Sequence, residues 1–280
     1  MSDKINELFA IPTFGENVDW QDILERQHCP FLDKKCVKIR KSQPDIAIGT
    51  CSVNYGTREN NDIIICPHRF LNRGQIFIDC IHLLTLHEPG NELHRIPEIE
   101  VPGGSVDYVL ASVQDGKVVD FVGIELQALD TTGTVWPARQ EFLRSINLID
   151  DEALPSKPYG MNWKMTAKTT LVQMHHKIET FEGLGKHLVL VLQDVLMSYM
   201  RREFNFEHIK DAKVGHSMHF HVYGFERHPD RFQMKLSSRA STDADGMSTA
   251  LGLQVSANVE LEVIVATLES KISEATLLRI

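Results

Sequence analysis

VDYVLASVQDGKVVDFVGIELQ, residues 106–127, is the stretch on which the reading of this chain turns. Val106–Val113 and Val118–Gln127 are rich in Val, Ile, Phe and Tyr, and Gln114-Asp115-Gly116-Lys117 between them supplies a tight reversal, so the stretch predicts a β-hairpin. Side chains alternate along a strand, which puts Glu125 and Gln127 on one face, with Asp107 able to join them from the neighbouring strand. Two carboxylates and an amide converging at a sheet edge form an oxygen-rich cage suited to a hard divalent cation, Mg2+ above all. Such an ion activates water against a phosphodiester. Strands with one face in water also carry alternating charges, and pattern alone does not separate the two readings. Local composition favours the metal site: Asp107 and Glu125 interrupt strongly apolar runs, SVDYVLASV and VVDFVGIEL, where a charge needs a partner or a metal. Gly123, on the same face as Glu125, is expected to leave room for a backbone or ligand.

The chain has 280 residues, 42% of them hydrophobic and 24% charged, which is ordinary globular material for one sizeable core and an accessory lobe. No run approaches the roughly 18 apolar residues that span a bilayer. The start, MSDKINELFAIPTF, has no basic region followed by an apolar core, so a cytoplasmic protein is expected. A net charge of -9 excludes a broadly basic nucleic-acid binder, and any DNA contact must come from local patches.

Val18–Arg26 (VDWQDILER) suggests a short helix, and a loop-rich region then runs to about Asn72. Gln75–Leu86 has the apolar spacing of one helix face through Ile76, Cys80, Leu83 and Leu84. After the hairpin come a helix over Thr166–Thr180, an apolar strand over His187–Val195 and a helix over Met197–Phe206. Ser217–Phe225 alternates as a strand, and Val259–Leu278 reads as a helix. These elements describe an α/β fold with a mixed central β-sheet flanked by helices.

Four of the five cysteines, Cys29, Cys36, Cys51 and Cys66, lie in the loop-rich region, whose apolar content gives it little core of its own. A tetrahedral all-thiolate site holding zinc or iron would supply the missing stability. The spacings of six, fourteen and fourteen intervening residues contain no C-x-x-C pair, so scattered buried thiols are the competing reading. Disulfides are the weaker explanation for an intracellular chain. Cys80, on the apolar face of its helix, reads as core. His219 and His221 share a strand face and His175 and His176 share a helix, but sheet histidines are more often packing residues than ligands.

CPFLDKKC (29–36), RKSQPDIAIGTCSVNYG (40–56), IICPHRF (64–70), VDYVL (106–110), VGIELQALDTTGTVWP (122–137) and NWKMTAKTTLVQMHHK (162–177) together resemble the NotI family of type II restriction endonucleases over roughly Cys29–Gln193. The resemblance implies a restriction-endonuclease-like core of the PD-(D/E)xK type with Gln for the usual Lys, which matches Glu125-Leu126-Gln127. It also implies a small loop-rich four-cysteine iron site on Cys29, Cys36, Cys51 and Cys66 that faces DNA, and action as a homodimer on a palindromic site. The expected division is a metal-binding, DNA-contacting lobe at residues 1–73 and an endonuclease core at 74–280. Enzymes of this type often place a further glutamate ahead of the first active-site strand. Glu92, Glu98 and Glu100 qualify and Glu92 is favoured, a solvated acidic loop being the alternative.

On this reading Asp107 and Glu125 hold one or two Mg2+ ions against the scissile phosphate, and Gln127, unable to take a proton, positions the nucleophile. Lys38, Arg40 and Lys41, in the basic run KKCVKIRK, are candidates for DNA contact, as are Lys164 and Lys168, one helical turn apart; solvated basic surface is the alternative. The leading function is a restriction endonuclease with double-stranded DNA as substrate and a cognate DNA methyltransferase as functional partner. A structure-selective repair or junction nuclease on the same core, and a DNA-binding regulator that no longer cuts, are the competing classes.

Overall fold

The computed structural model describes residues 5–56, 61–149 and 159–253, with 265 and 270. Near the start, β1 (Ile5–Leu8) and β2 (Ile11–Pro12) precede α1 (Trp20–Arg26). Two small antiparallel ribbons follow, β3 (His28–Cys29) with β4 (Lys34–Lys35) and β5 (Ile39–Arg40) with β6 (Gln43–Ala47). Next come β7 (Thr50–Asn54), β8 (Asp62–Ile64), a helical stretch Pro67–Gly74 and α2 (Gln75–Ile78). The central region holds β9 (Glu92–Val101), β10 (Gly104–Gln114), β11 (Lys117–Gln127), β12 (Thr131–Thr132), α3 (Trp136–Ser145) and β13 (Gly160–Met161). The last part runs α4 (Trp163–Gly183), β14 (His187–Gln193), α5 (Asp194–Glu203), β15 (Lys210–Asp211), β16 (Met218–Arg227), β17 (Phe232–Thr242) and α6 (Ala244–Ala250).

The central sheet is seven-stranded and mixed, in the order β15-β17-β16-β14-β11-β10-β9. β14 pairs parallel with both β11 and β16, and the other ladders are antiparallel. Helices cover one face: Leu171, Met174, Ile178 and Phe181 of α4 pack with Leu188, Leu190 and Phe220. The other face carries Val189, Val191, Ile124 and Tyr223 under Phe70, Ile76, Cys80 and Leu83. Burial on both sides is why β14 reads as an unbroken apolar run. The architecture is a mixed α/β arrangement, a central mixed sheet flanked by helices.

The expected hairpin is present as β10 and β11, with Asp115 and Gly116 both at positive φ in the two-residue turn between Gln114 and Lys117. The helix expected over Gln75–Leu86 is only four residues of α2 followed by a 3-10 turn at Ile81–Leu83, because that segment is held as a cap on the sheet and not as a free amphipathic rod. Its Cys80 is fully buried. The helix expected over Thr166–Thr180 is longer, Trp163–Gly183, and that expected over Met197–Phe206 starts earlier, at Asp194. The Val259–Leu278 helix falls outside the described residues, apart from 265 and 270.

The region before Asn72 is more ordered than its punctuation suggested. It builds a four-stranded sheet, β2-β1-β7-β8, whose Ile5, Val53 and Ile63 belong to the same apolar cluster as α4. The side chain of Gln193, at the end of β14, accepts from the Ile64 N–H at 2.9 Å and donates to the Asp62 carbonyl at 2.7 Å, tying β8 to the central sheet. Arg69, buried, pairs with Glu7 at 3.0 Å and donates to the Phe232 carbonyl, so one guanidinium joins β1 to β17. Ser52 donates to the same carboxylate. Breaking such a buried pair leaves an uncompensated charge.

Gly123 does not leave space for a ligand. A Cβ there would lie 2.5 Å from the Phe181 ring and 3.1 Å from Leu188, so the glycine admits the closest approach of α4 to β11. Gly123→Ala is expected to destabilise by about 1–3 kcal/mol through overpacking, read as a lowered Tm in thermal unfolding.

Candidate active site

The β10–β11 ladder runs from Gln114 opposite Lys117 to Tyr108 opposite Ile124. Just beyond it, the Leu126 N–H donates to Asp107 Oδ2 at 2.8 Å, so a carboxylate takes the place of a ladder carbonyl. The strands part here, and Asp107 and Glu125 stand on neighbouring strands at the fork. Asp107 opens onto a groove of about 770 Å3, also lined by His68, Arg73, Arg95, Glu98 and Tyr108.

Burial raises the pKa of Asp107, opposed chiefly by the Leu126 N–H bond. Burial raises Glu125 further, to about 7; the hydrogen bond from Lys177 opposes it and the Asp107 charge adds to it. Two acids this close do not both ionise comfortably without a cation. Lys177 of α4, itself buried, forms an ion pair with Glu125 Oε1. Sequence reasoning missed this lysine, because the contact joins residues 52 apart and depends on how α4 lies across the sheet. Its only trace in the sequence is a lysine on a helix face otherwise made of Thr170, Leu171, Met174 and Ile178.

Gln127 shares the face of Glu125, as alternation requires, but its amide is engaged by the protein. Its Oε1 accepts from Thr170 Oγ1 at 2.8 Å and its Nε2 donates to the Ala128 carbonyl at 2.6 Å. Glu92 is not brought to the site. It pairs with Val113 at the far end of β9, exposed and bonded to His94, six residues along the ladder from the level of Asp107. That separation is about 20 Å of strand. The register places Glu98 level with Asp107, with its backbone at φ 53, and Glu98 lines the groove. Glu100 is opposite Ser105, beyond it. Antiparallel pairing sets the three acids at different levels relative to Asp107, which the sequence spacing could not give.

Cys29, Cys36, Cys51 and Cys66 are free thiols that all line one cavity of about 10 Å3, room for a single atom-sized guest. The Cys51 thiol bonds to Cys66, which pushes Cys51 well up and holds Cys66 down at about 7, with the Lys38 charge assisting Cys66. Burial raises Cys36. Among the described residues no three His, Cys, Asp or Glu side chains converge closely enough to hold an ion as they stand. The donor chemistry of four thiols around one void nevertheless fits a thiophilic metal. His219 and His221 are core residues: His219 Nε2 donates to the His216 carbonyl at 2.8 Å, and His221 Nδ1 lies 3.7 Å from Cys80 Sγ. Burial lowers them to about 4 and about 3, so both are neutral imidazoles.

The family described as Restriction endonuclease NotI matches residues 14–233, a span that holds the four-cysteine cavity, the β10–β11 fork and α4. The chain belongs to the NotI restriction endonuclease family. No curated protein matches it. Membership makes it a type II restriction endonuclease, an endodeoxyribonuclease whose substrate is double-stranded DNA. Among the described residues no helix is long and apolar enough to cross a membrane.

For a NotI-family enzyme, the distribution of cations is instructive. Lys38 is turned inward, its Nζ donating to the Ile65 carbonyl at 3.2 Å beside the thiols. Arg40 bonds to Gln43 at 2.6 Å and lies over the Trp136 ring, while Lys41, Lys164 and Lys168 are exposed. Lys34, Arg73 and Arg95, none of them singled out in the sequence, face the groove itself. His68 lines both the groove and the cysteine cavity, and burial lowers its pKa.

Because the metal-free Glu125 takes its proton at about 7, an ion bound there must displace that proton. Raised above its unfolded value, this carboxyl destabilises the fold increasingly as pH rises from about 4.5 to 7, and a divalent cation relieves the cost only where the group ionises. Mg2+ is therefore expected to raise Tm at pH 8 and leave it unchanged at pH 5, with its half-saturation in cleavage assays weakening up to about tenfold per pH unit below 7.

Proposed function

We propose that this enzyme makes Mg2+-dependent double-strand cuts at a palindromic DNA site as a homodimer. The observation that carries the reading is the fork itself: two half-buried carboxylates on adjacent strands, of which Asp107 lines a groove that Lys34, Arg73 and Arg95 also line. Bound between Asp107 and Glu125, Mg2+ would supply Lewis-acid activation of water and phosphate. Asp107 is anchored to the Leu126 N–H and Glu125 to Lys177, so both acceptors are held in place before substrate arrives. Glu98, level with Asp107, is the acid placed to join them, in the role first given to Glu92. Gln127 contributes by fixing β11 against α4 through Thr170. Lys34, Arg73 and Arg95 meet phosphates along the groove, and Arg40, Lys41, Lys164 and Lys168 extend the basic surface. A methyltransferase of matching specificity is the functional partner, and the cytoplasm is the place of action.

Cys29, Cys36, Cys51 and Cys66 hold one structural iron or zinc ion, and the part they stabilise presents the Pro30–Val37 segment to the groove. Unmethylated phage DNA incubated with the protein and Mg2+ should give discrete bands whose sequenced ends define one site. Asp107→Ala should lower the single-turnover cleavage rate by at least about 1,000-fold while sparing DNA binding, and cleavage at the wild-type rate would sink the assignment. Cys51→Ser should lose the transition metal measured by elemental analysis and lower Tm, whereas His219→Ala should retain the metal.

A further inference from the structure

A phosphodiester under attack by water gathers negative charge, and an amide at position 127 can supply no positive charge to meet it. The structure supplies one from elsewhere. Lys177 is 6% exposed, its ammonium lies on Glu125, and its charge reaches Asp107. It stands seven residues after Thr170, hence two turns along the same face of α4. Thr170 is the residue that Gln127 grips, so Gln127 and Lys177 occupy two ends of one α4–β11 contact.

The turn between β9 and β10 is built around the same side chain. A Cβ on Gly103 would lie 2.2 Å from the His176 carbonyl oxygen and 3.2 Å from Lys177 Cα, and one on Gly104 would lie 3.3 Å from Lys177 Cε. Both glycines have positive φ, and their bareness lets the turn close over the lysine stem. The two glycines thus lie against the lysine at Cα and Cε, and its ammonium ends on Glu125 with its charge felt at Asp107. A structural cation that only neutralised Glu125 would leave unexplained why Gln127, on the same strand face, gives its amide oxygen to the helix that carries this lysine.

We propose that Lys177 is a catalytic residue of DNA cleavage, its ammonium binding the scissile phosphate and the attacking water, and that Gln127 is a positioning residue that holds α4 in register for it. This rests on the nuclease reading of Asp107 and Glu125. An ammonium has three donors, and one N–H serves Glu125 while the others serve phosphate and water. The water oxygen bonds to phosphorus as the P–O3′ bond breaks, giving a 5′-phosphate and a 3′-hydroxyl. The water proton leaves to solvent and the 3′ oxygen takes one from solvent. Lys177 stays charged throughout, so its part is charge and orientation.

The test is single-turnover cleavage of unmethylated phage DNA at saturating Mg2+ by Lys177→Met, Lys177→Gln, Lys177→Arg and Asp107→Ala, with thermal unfolding of each. Lys177→Met and Lys177→Gln should each slow cleavage at least about 100-fold with the Mg2+ half-saturation unchanged or improved, because the competing ammonium has gone. Lys177→Arg should cleave at least tenfold faster than Lys177→Gln, and adding Gln127→Lys to Lys177→Met should recover part of the rate. If Lys177→Met does not fold, the Lys177→Gln and Lys177→Arg pair decides, since both keep a hydrogen-bond donor for Glu125. Cleavage by Lys177→Gln within threefold of wild type, or equal rates for Lys177→Gln and Lys177→Arg, overturns the role of Lys177 and leaves the nuclease site standing if Asp107→Ala is inactive. Wild-type cleavage by Asp107→Ala overturns the nuclease site itself.

Discussion

Two carboxylates forced into apolar strands beside one another are the constraint around which this protein is arranged. Burial favours protonation of both Asp107 and Glu125, the Asp107 charge adds to it at Glu125, and each is held by one specific donor. The Leu126 N–H can serve Asp107 only because the hairpin ladder ends one step earlier, so the fork that opens the groove and the anchoring of the acid are one event. Lys177 can serve Glu125 only because α4 comes close, and α4 comes close only because Gly123 has no side chain to hold Phe181 off. A residue that looked like ligand space is therefore helix-packing space, and the site depends on it all the same.

The N-terminal sheet is bound to this core by polar clasps more than by a separate core of its own. Gln193 fixes β8 to the end of β14, and Arg69 fixes β1 to β17, each buried and each spanning well over a hundred residues on at least one side. Cys66 directly precedes the Pro67–Gly74 stretch, and His68 within it borders both the thiol cavity and the groove. Anything that reshapes the thiols displaces a wall of the groove by a route of only two residues. Lys38 belongs to this junction: its ammonium donates to the Ile65 carbonyl and its charge helps hold the Cys66 pKa down.

The sequence carried the hairpin, the apolar central strand and the placing of Asp107 and Glu125 on neighbouring strands, because each is written in a local pattern: alternation, a two-residue turn, or a charge interrupting an apolar run. It did not carry the relations between elements. Glu92 and Glu98 are equally good glutamates on one strand, and only the register with β10 sets Glu98 beside Asp107. Lys177 lies on a helix with a weak amphipathic pattern, and its partner is two elements away. The four cysteines were legible as a group through their segment, but not the sheet that organises them, since β1, β7 and β8 are short strands in a stretch punctuated by Gly, Pro and Asn.

A net charge of -9 is at first sight a poor endowment for binding DNA. Electrostatic forces between exposed groups fade over about 8–10 Å at physiological salt, so acids on distant surfaces count little against a phosphate in the groove. What a phosphate in the groove would meet is local: Lys34, Arg73 and Arg95 line it together with Glu98 and Asp107. If Asp107 and Glu98 take a divalent cation as proposed, that cation would offset their repulsion of a phosphate. On the proposed reading, cations that hold the duplex and acids that accept it only with metal bound would separate holding DNA from cutting it. Such a separation would let an acidic protein hold DNA by local cations while chemistry waits on the ion.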